Sequence, residues 1–184
     1  YKIANPTFIH NNRSILRLSR SRPAPALFEG FIAFIANLPL LEILDVSFNT
    51  FGGTIPGVIG DLDRLEWLVF SNSDFQGLLP TIFSNLRSLR FLASGSNFLR
   101  GTFPWASFIH ANQLIQISMS GNILNGELPL DLNRFSNLEV LDFKRNQLQG
   151  SIPNSIGGLG KLKYLQLSLN RFTGKLPASL GLLT

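Results

Sequence analysis

Catalysis needs polar groups that converge on one point, and this chain offers few candidates. Asp45 and Asp142 hold the same position of a repeating sequence unit, four units apart. If each unit supplies one strand, they stand about 19 Å apart at the usual strand spacing. A glycosidase-type carboxylate pair needs roughly 5–9.5 Å. His10 and His110 lie in different segments, and neither falls on a strand position. The stretch SIGGLGK, residues 155–161, lacks the spacing of a phosphate-binding loop, and its glycines follow the repeat. Neither a GxSxG nucleophile turn nor an HExxH metal motif occurs. Cysteine is absent, which removes disulfides, thiolate metal sites and thiol nucleophiles. The expectation is no enzyme activity, no metal and no cofactor in this stretch, whatever domains lie elsewhere in a full-length protein. Binding is the chemistry left.

The elements that would position a binding face come from the repeat. Leu138 to Lys161, LEVLDFKRNQLQGSIPNSIGGLGK, is echoed from Leu162 as LKYLQLSLNRFTGKLPASLGLLT. Counting back gives further starts at Leu114, Leu89, Leu65 and Leu41, with an irregular first unit beginning near residue 13. From Leu41 onward units are 24 residues long, except for 25 in the Leu89 unit and 23 in the truncated last one. Position 1 is Leu, position 4 Leu or Ile, position 6 usually apolar, position 9 usually Asn, position 13 Gly and position 16 Pro. Such regularity signals a solenoid whose units cannot bury a core alone and must stack.

Positions 3 to 7 alternate, as in LDV, LDF and LQL, so each unit opens with a short strand that turns positions 4 and 6 inward. Successive strands then pair in parallel and line the concave side. Asn49, Asn97, Asn122, Asn146 and Asn170 fall where each strand ends, so their amides can bond adjacent turns as a ladder, with Ser73 and Ser21 as weaker substitutes. Glycine at position 13 suits a conformation costly to other residues, and proline at position 16 fixes φ on the way back. Phe51, Phe75 and Phe172, with Leu99, Leu124 and Leu148, form an inner row of core residues. Between the proline and the next leucine there is room for little more than a helical turn. Ser94 at inward position 6, and the extra residue in WASFIHANQ after Pro104, mark an expected local defect in stacking. Residues 1–13 read as an irregular lead-in, and Leu27 to Asn37 as a short buried helix after a proline-rich loop.

Positions 3, 5, 7, 8 and 10 would project from the sheet. Position 3 carries Ile43, Trp67, Phe91, Gln116, Val140 and Tyr164, an expected exposed apolar column, with Phe48 and Phe98 beside it. Asp45, Asn72 and Asp74 lie toward the start, and Lys144, Arg145 and Arg171 toward the end. An aromatic centre with polar surroundings fits a protein-binding hot spot, and the basic end could hold a carboxylate or sulfate. The competing reading is that position-3 residues shield neighbouring strands and bind nothing.

The net charge of +5 is spread along the chain without a run of four basic residues, so a nucleic-acid partner is not expected. The most apolar run, Phe31 to Leu44, is interrupted by Asn37, Pro39 and Glu42 and does not reach the ~20 residues of a membrane span. No secretory leader is recognisable at Tyr1. Asn12-Arg13-Ser14 is a glycosylation sequon. The chain stops at Leu183-Thr184 inside a repeat, as a fragment of a longer protein would.

The continuation NxFxGxIPxxIGxL, as in NTFGGTIPGVIGDL and NQLQGSIPNSIGGL, resembles the plant-specific subclass of leucine-rich repeats, closely over residues 41–184 and loosely over 14–40. That subclass occurs in ectodomains of plant receptor kinases, in receptor-like proteins and in polygalacturonase inhibitors. The resemblance implies an α/β solenoid, a right-handed superhelix with a parallel β-sheet on the concave face and irregular or 3-10 turns on the convex side. It implies a recognition module at the cell surface or secreted, binding a peptide or protein ligand and pairing with a co-receptor. The alternative is a soluble interaction protein, either a secreted inhibitor or a cytoplasmic scaffold.

Overall fold

The computed structural model describes residues 7–10, 13–18, 35 and 37–183. In chain order the strands are β1 (Thr7–His10), β2 (Arg13–Arg17), β3 (Leu41–Asp45), β4 (Trp67–Val69), β5 (Gln76–Gly77), β6 (Phe91–Ala93) and β7 (Phe98–Thr102). They continue as β8 (Gln116–Ser118), β9 (Ile123–Asn125), β10 (Val140–Asp142), β11 (Gln149–Gly150), β12 (Tyr164–Gln166) and β13 (Arg171–Phe172). One eight-stranded sheet runs β1-β2-β3-β4-β6-β8-β10-β12, parallel from β2 onward. Its register is that of the repeat: Ile43, Trp67, Phe91, Gln116, Val140 and Tyr164 stand side by side.

Alternation within each three-residue strand sends the position-4 leucine or isoleucine inward, and Leu68, Leu92, Ile117 and Leu141 are fully buried. The inner row is core as well, except Phe172, which is half-buried in the last unit. Returning segments are 3-10 turns: Gly57–Asp61, Thr81–Asn85, Trp105–Phe108, Leu132–Arg134, Asn154–Gly158 and Ala178–Leu182. Five or fewer residues per turn leave no room for an α-helix there.

The position-9 asparagines join one unit to the next. Asn146 Nδ2 donates to the Met119 carbonyl of the preceding unit at 2.9 Å and to Phe143 of its own at 3.1 Å. Its Oδ1 accepts from the Leu124 amide at 3.0 Å. Asn122 does the same with Ser94, Met119 and Leu99, and Asn170 with Phe143, Leu167 and Leu148. At Ser73 the Oγ donates to the Val46 carbonyl of the preceding unit at 2.8 Å and lies 3.2 Å from the Ser71 carbonyl of its own. One hydroxyl proton is shared between the two carbonyls, where an amide gives each its own. The buried Ser94 hydroxyl finds its partner in this ladder too, accepting from Asn97 Nδ2 at 3.2 Å.

Several features depart from the sequence expectations. Thr7–His10 is not irregular: it pairs antiparallel with β2, His10 opposite Arg13. That strand covers the hydrogen-bonding edge the first parallel strand would otherwise expose. A second row of strands, β5-β7-β9 and β11-β13, was not foreseen. Its strands begin after a left-handed corner at position 8 and reach toward a second at the position-13 glycine, which β7 runs through; Gly101 has φ +78° and Gly150 +77°. The segment between is thereby extended, and position-12 amides reach the preceding unit, as Gln149 does to the Gly126 carbonyl at 2.8 Å.

The Leu89 unit shows no stacking defect, because Phe91 still pairs with Gln116 on one side and Trp67 on the other. Its extra residue is absorbed at Pro104, whose ψ is 66° against 134–147° at Pro56, Pro80, Pro153 and Pro177. Trp105 packs on Phe103 and Phe143, with centroids 4.4 and 5.4 Å away, and its Nε1 donates to the Glu127 carbonyl. Arg134 donates to the Trp105 carbonyl and pairs with Asp131. The Asn12 sequon and Ser21 lie outside the described residues, as do the proline-rich loop and, apart from Ile35 and Asn37, the Leu27–Asn37 segment.

Asn146→Ala is expected to lower unfolding free energy by about 2 kcal/mol or more, since it leaves buried backbone groups unpaired. Hydrogen exchange checks the mechanism, because the Leu124 amide should lose its protection; unchanged protection there would refute the ladder's role. The glycines of residues 155–161 separate by space. A Cβ on Gly157 would sit 2.4 Å from the Ser179 carbonyl oxygen, whereas one on Gly160 meets nothing within 4 Å. Urea denaturation should show Gly157→Ala strongly destabilised and Gly160→Ala within about 0.5 kcal/mol of the parent.

Candidate functional site: the sheet face

Three-residue strands put positions 3 and 5 on the outer face of the main sheet, and position 7 continues that face where the strand ends. Trp67 on β4 and Phe91 on β6 are adjacent in register, their ring centroids 4.0 Å apart and their planes tilted by 30°. Both are half-buried: each ring covers the other and keeps part of its surface open to solvent. Val140 is likewise half-buried, and Tyr164 is exposed. Ile43 is not. It is only 6% accessible, so the apolar column opens at Trp67 and not one strand earlier. Ile43 lies beside Ile15 of β2 and Trp67 of β4, and these neighbours cover a side chain that an isolated strand would expose.

Beside the aromatic pair the face is flat. Positions 5 and 7 there hold Val69, Ala93, Ser118, Ser71, Gly95 and Ser120. Asp45 and Asp142 stand at either side of this floor, and each works locally. Asp45 Oδ1 accepts from the Ser47 amide at 3.1 Å and from the Ser47 hydroxyl, and Asp142 Oδ1 accepts from the Lys144 amide at 2.9 Å. Both carboxylates thus fix the bend that ends their strand, as Asx turns do. Four strand steps separate them, which is too far for joint acid–base work.

The remaining candidates divide between two surfaces. Phe48, Asn72 and Arg145 occupy position 8, at the rim, where Ser96, Gly121 and Leu169 complete a column held at positive φ throughout, between 54° and 66°. The corner is a demand of the fold, and a bulky residue such as Phe48 accepts it at a cost in strain. Phe48 is 62% exposed, so packing does not repay that cost. Asp74, Phe98 and Arg171 lie beyond the corner. Phe98 belongs to β7 and Arg171 to β13, in the second row of strands, and Asp74 precedes β5. These three line the flank and not the sheet face. The sequence carries no sign of this division, because an isolated two-residue strand has no alternation to read.

On the opposite rim, position-2 residues pair between units, Lys163 with Glu139 at 2.8 Å and Arg90 with Glu66 at 3.6 Å. A shallow cleft of about 270 Å³ opens there, lined by Arg90, Gln113, Ile115, Asn137, Glu139 and Lys161. Most of its polar groups already have partners, Lys161 Nζ donating to Asn137 Oδ1 at 2.6 Å, Arg90 pairing with Glu66 and Glu139 with Lys163. Lys144, Arg145 and Arg171 differ in having no ion-pair partner among the described residues. No helix among the described residues is long and apolar enough to cross a membrane.

Comparison with known proteins follows this geometry. The sequence profile described as Leucine Rich Repeat matches residues 40–62, 64–86, 137–159 and 161–183. The unmatched middle contains the 25-residue unit with Ser94 and Trp105. No curated protein sequence gives a significant match. Among solved structures, PEPR1 with AtPEP1 aligns over 97% of the chain at 31% identity and a TM-score of 0.83. The Arabidopsis receptor kinase HAESA, in complex with the peptide hormone IDA and the co-receptor SERK1, aligns over 91% at 32% identity and a TM-score of 0.80. The ectodomain of GASSHO1/SCHENGEN3 from Arabidopsis thaliana, in complex with CASPARIAN STRIP INTEGRITY FACTOR 2, aligns over 81% at 33% identity and a TM-score of 0.78. The chain spans 25%, 27% and 18% of these three proteins respectively. A parallel sheet in repeat register, an asparagine ladder, 3-10 returns and a matching profile agree: the chain belongs to the leucine-rich-repeat family, in its plant-type form.

Proposed function

We propose that this chain is a ligand-binding segment from the ectodomain of a plant-type receptor kinase or receptor-like protein, acting on the outer side of the plasma membrane. The ligand is a peptide or protein segment seated on the sheet face, and the same molecule pairs with a co-receptor. No catalytic step, cofactor or nucleic acid enters this reading. The carrying observation is the Trp67–Phe91 pair, two large rings left half-open at the centre of a flat face with polar surroundings. Shielding of neighbouring strands would need no such rings, because Gln116 occupies the same position one strand on without disturbing the pairing. HAESA and GASSHO1/SCHENGEN3, described above with bound ligands, support the reading by likeness of fold and sequence.

The test uses short linear peptides selected from a random library against the chain. Trp67→Ala and Phe91→Ala are each expected to weaken binding of the selected peptides by about 2 kcal/mol, the range of a hot-spot residue. The far-UV circular dichroism should stay that of the parent. Undiminished affinity in both variants would refute the assignment of the sheet face as the binding surface.

A further inference from the structure

Charge is distributed unevenly along the solenoid. From Phe143 to Thr184 there are six cations, Lys144, Arg145, Lys161, Lys163, Arg171 and Lys175, and no aspartate or glutamate. Residues 41–66 carry the reverse, five carboxylates against a single arginine. The gradient reaches the sheet face at two residues. Lys144 continues the outer face of β10, and Arg145 projects from the rim at φ 54°. Neither has an ion-pair partner among the described residues, whereas Lys163 on the opposite rim is neutralised by Glu139. Asp142 is the nearest carboxylate in sequence, and its Oδ1 is already taken by the Lys144 amide.

Resting on the reading above, we infer that the ligand is an acidic peptide segment with a defined spacing. It carries an aromatic or large apolar residue that seats on Trp67 and Phe91, and a carboxylate side chain that meets Lys144 and Arg145. The strand count sets the separation. β10 lies two steps from β6 and three from β4 in the sheet, and at about 4.8 Å per step this is roughly 10–14 Å. An extended peptide covers that span in about three to four residues at about 3.3 Å each. Between the two anchors the face offers Ala93, Gly95, Ser118 and Ser120, with Gln116 the one longer side chain, its Nε2 tied to Ser118 Oγ at 2.9 Å. Orientation follows from the gradient, because a ligand laid the other way would bring its carboxylate toward Asp45.

Selection of linear peptides from a random library, read by sequencing, tests both parts. On the parent chain, enriched peptides should carry Asp or Glu three or four residues from an aromatic or large apolar residue. On the Lys144→Glu, Arg145→Glu double variant the acidic preference should vanish while the aromatic preference stays. A parent-selected peptide should bind that variant at least about tenfold more weakly, and added salt should weaken its binding to the parent. Enrichment without acidic residues, or an acidic preference that survives the double variant, would overturn the inference and leave the binding face standing. Loss of neither preference on Trp67→Ala, Phe91→Ala, or no enrichment on the parent, would overturn the binding face itself.

Discussion

A carboxamide turned inward at the end of five of the six repeat strands, with Ser73 in the other, is the interaction on which the rest depends. Its two N–H donors serve the carbonyls of two successive units, and its oxygen serves an amide of the earlier one. Burying backbone polar groups without partners is costly, and the turn that ends a three-residue strand leaves such groups inside the coil. The asparagine satisfies them, and in doing so fixes the offset between units at one repeat. Everything on the outer face inherits that offset. Trp67 meets Phe91 because the ladder holds β4 and β6 in the same register as the sequence repeat.

Much of this was legible in the sequence because a repeat samples the same physics six times. Alternation in LDV or LDF assigns inside and outside; asparagine at the end of the strand, glycine at the corner and proline on the return each name a backbone requirement. What the sequence concealed was set by neighbours in space. Ile43 has the same residue class and position as its partners, yet it is covered where theirs are open, because Ile15 and Trp67 flank it. The second row of strands has two or three residues in most units and five only in β7, too short to show a period. The left-handed corner at position 8 was invisible because phenylalanine, asparagine, serine, arginine and leucine all occupy it, and glycine only once. Thr7–His10 formed a strand because a sheet edge needed covering, which no local pattern records.

The candidate site was legible in part for the same reason. Trp67, Phe91, Val140 and Tyr164 follow directly from the repeat, and they lie in one row. Counting places Asp74, Phe98 and Arg171 on the same face, but the corner at position 8 turns them onto the flank. Asp45 lies on the face as expected, although its carboxylate is committed to Ser47. The face is therefore narrower than counting alone suggested: an aromatic pair, a floor of small residues and a basic margin.

The Trp105 insertion divides the molecule in a different sense. Elsewhere each junction presents the same surface to the next, so duplicating or excising one block of 24 residues would rejoin compatible partners. Trp105 breaks that interchangeability, since its contacts with Glu127, Arg134 and Phe143 tie together three consecutive units. Gain and loss of whole units during descent would then be confined to either side of this clasp, lengthening or shortening one arm while the centre kept its identity.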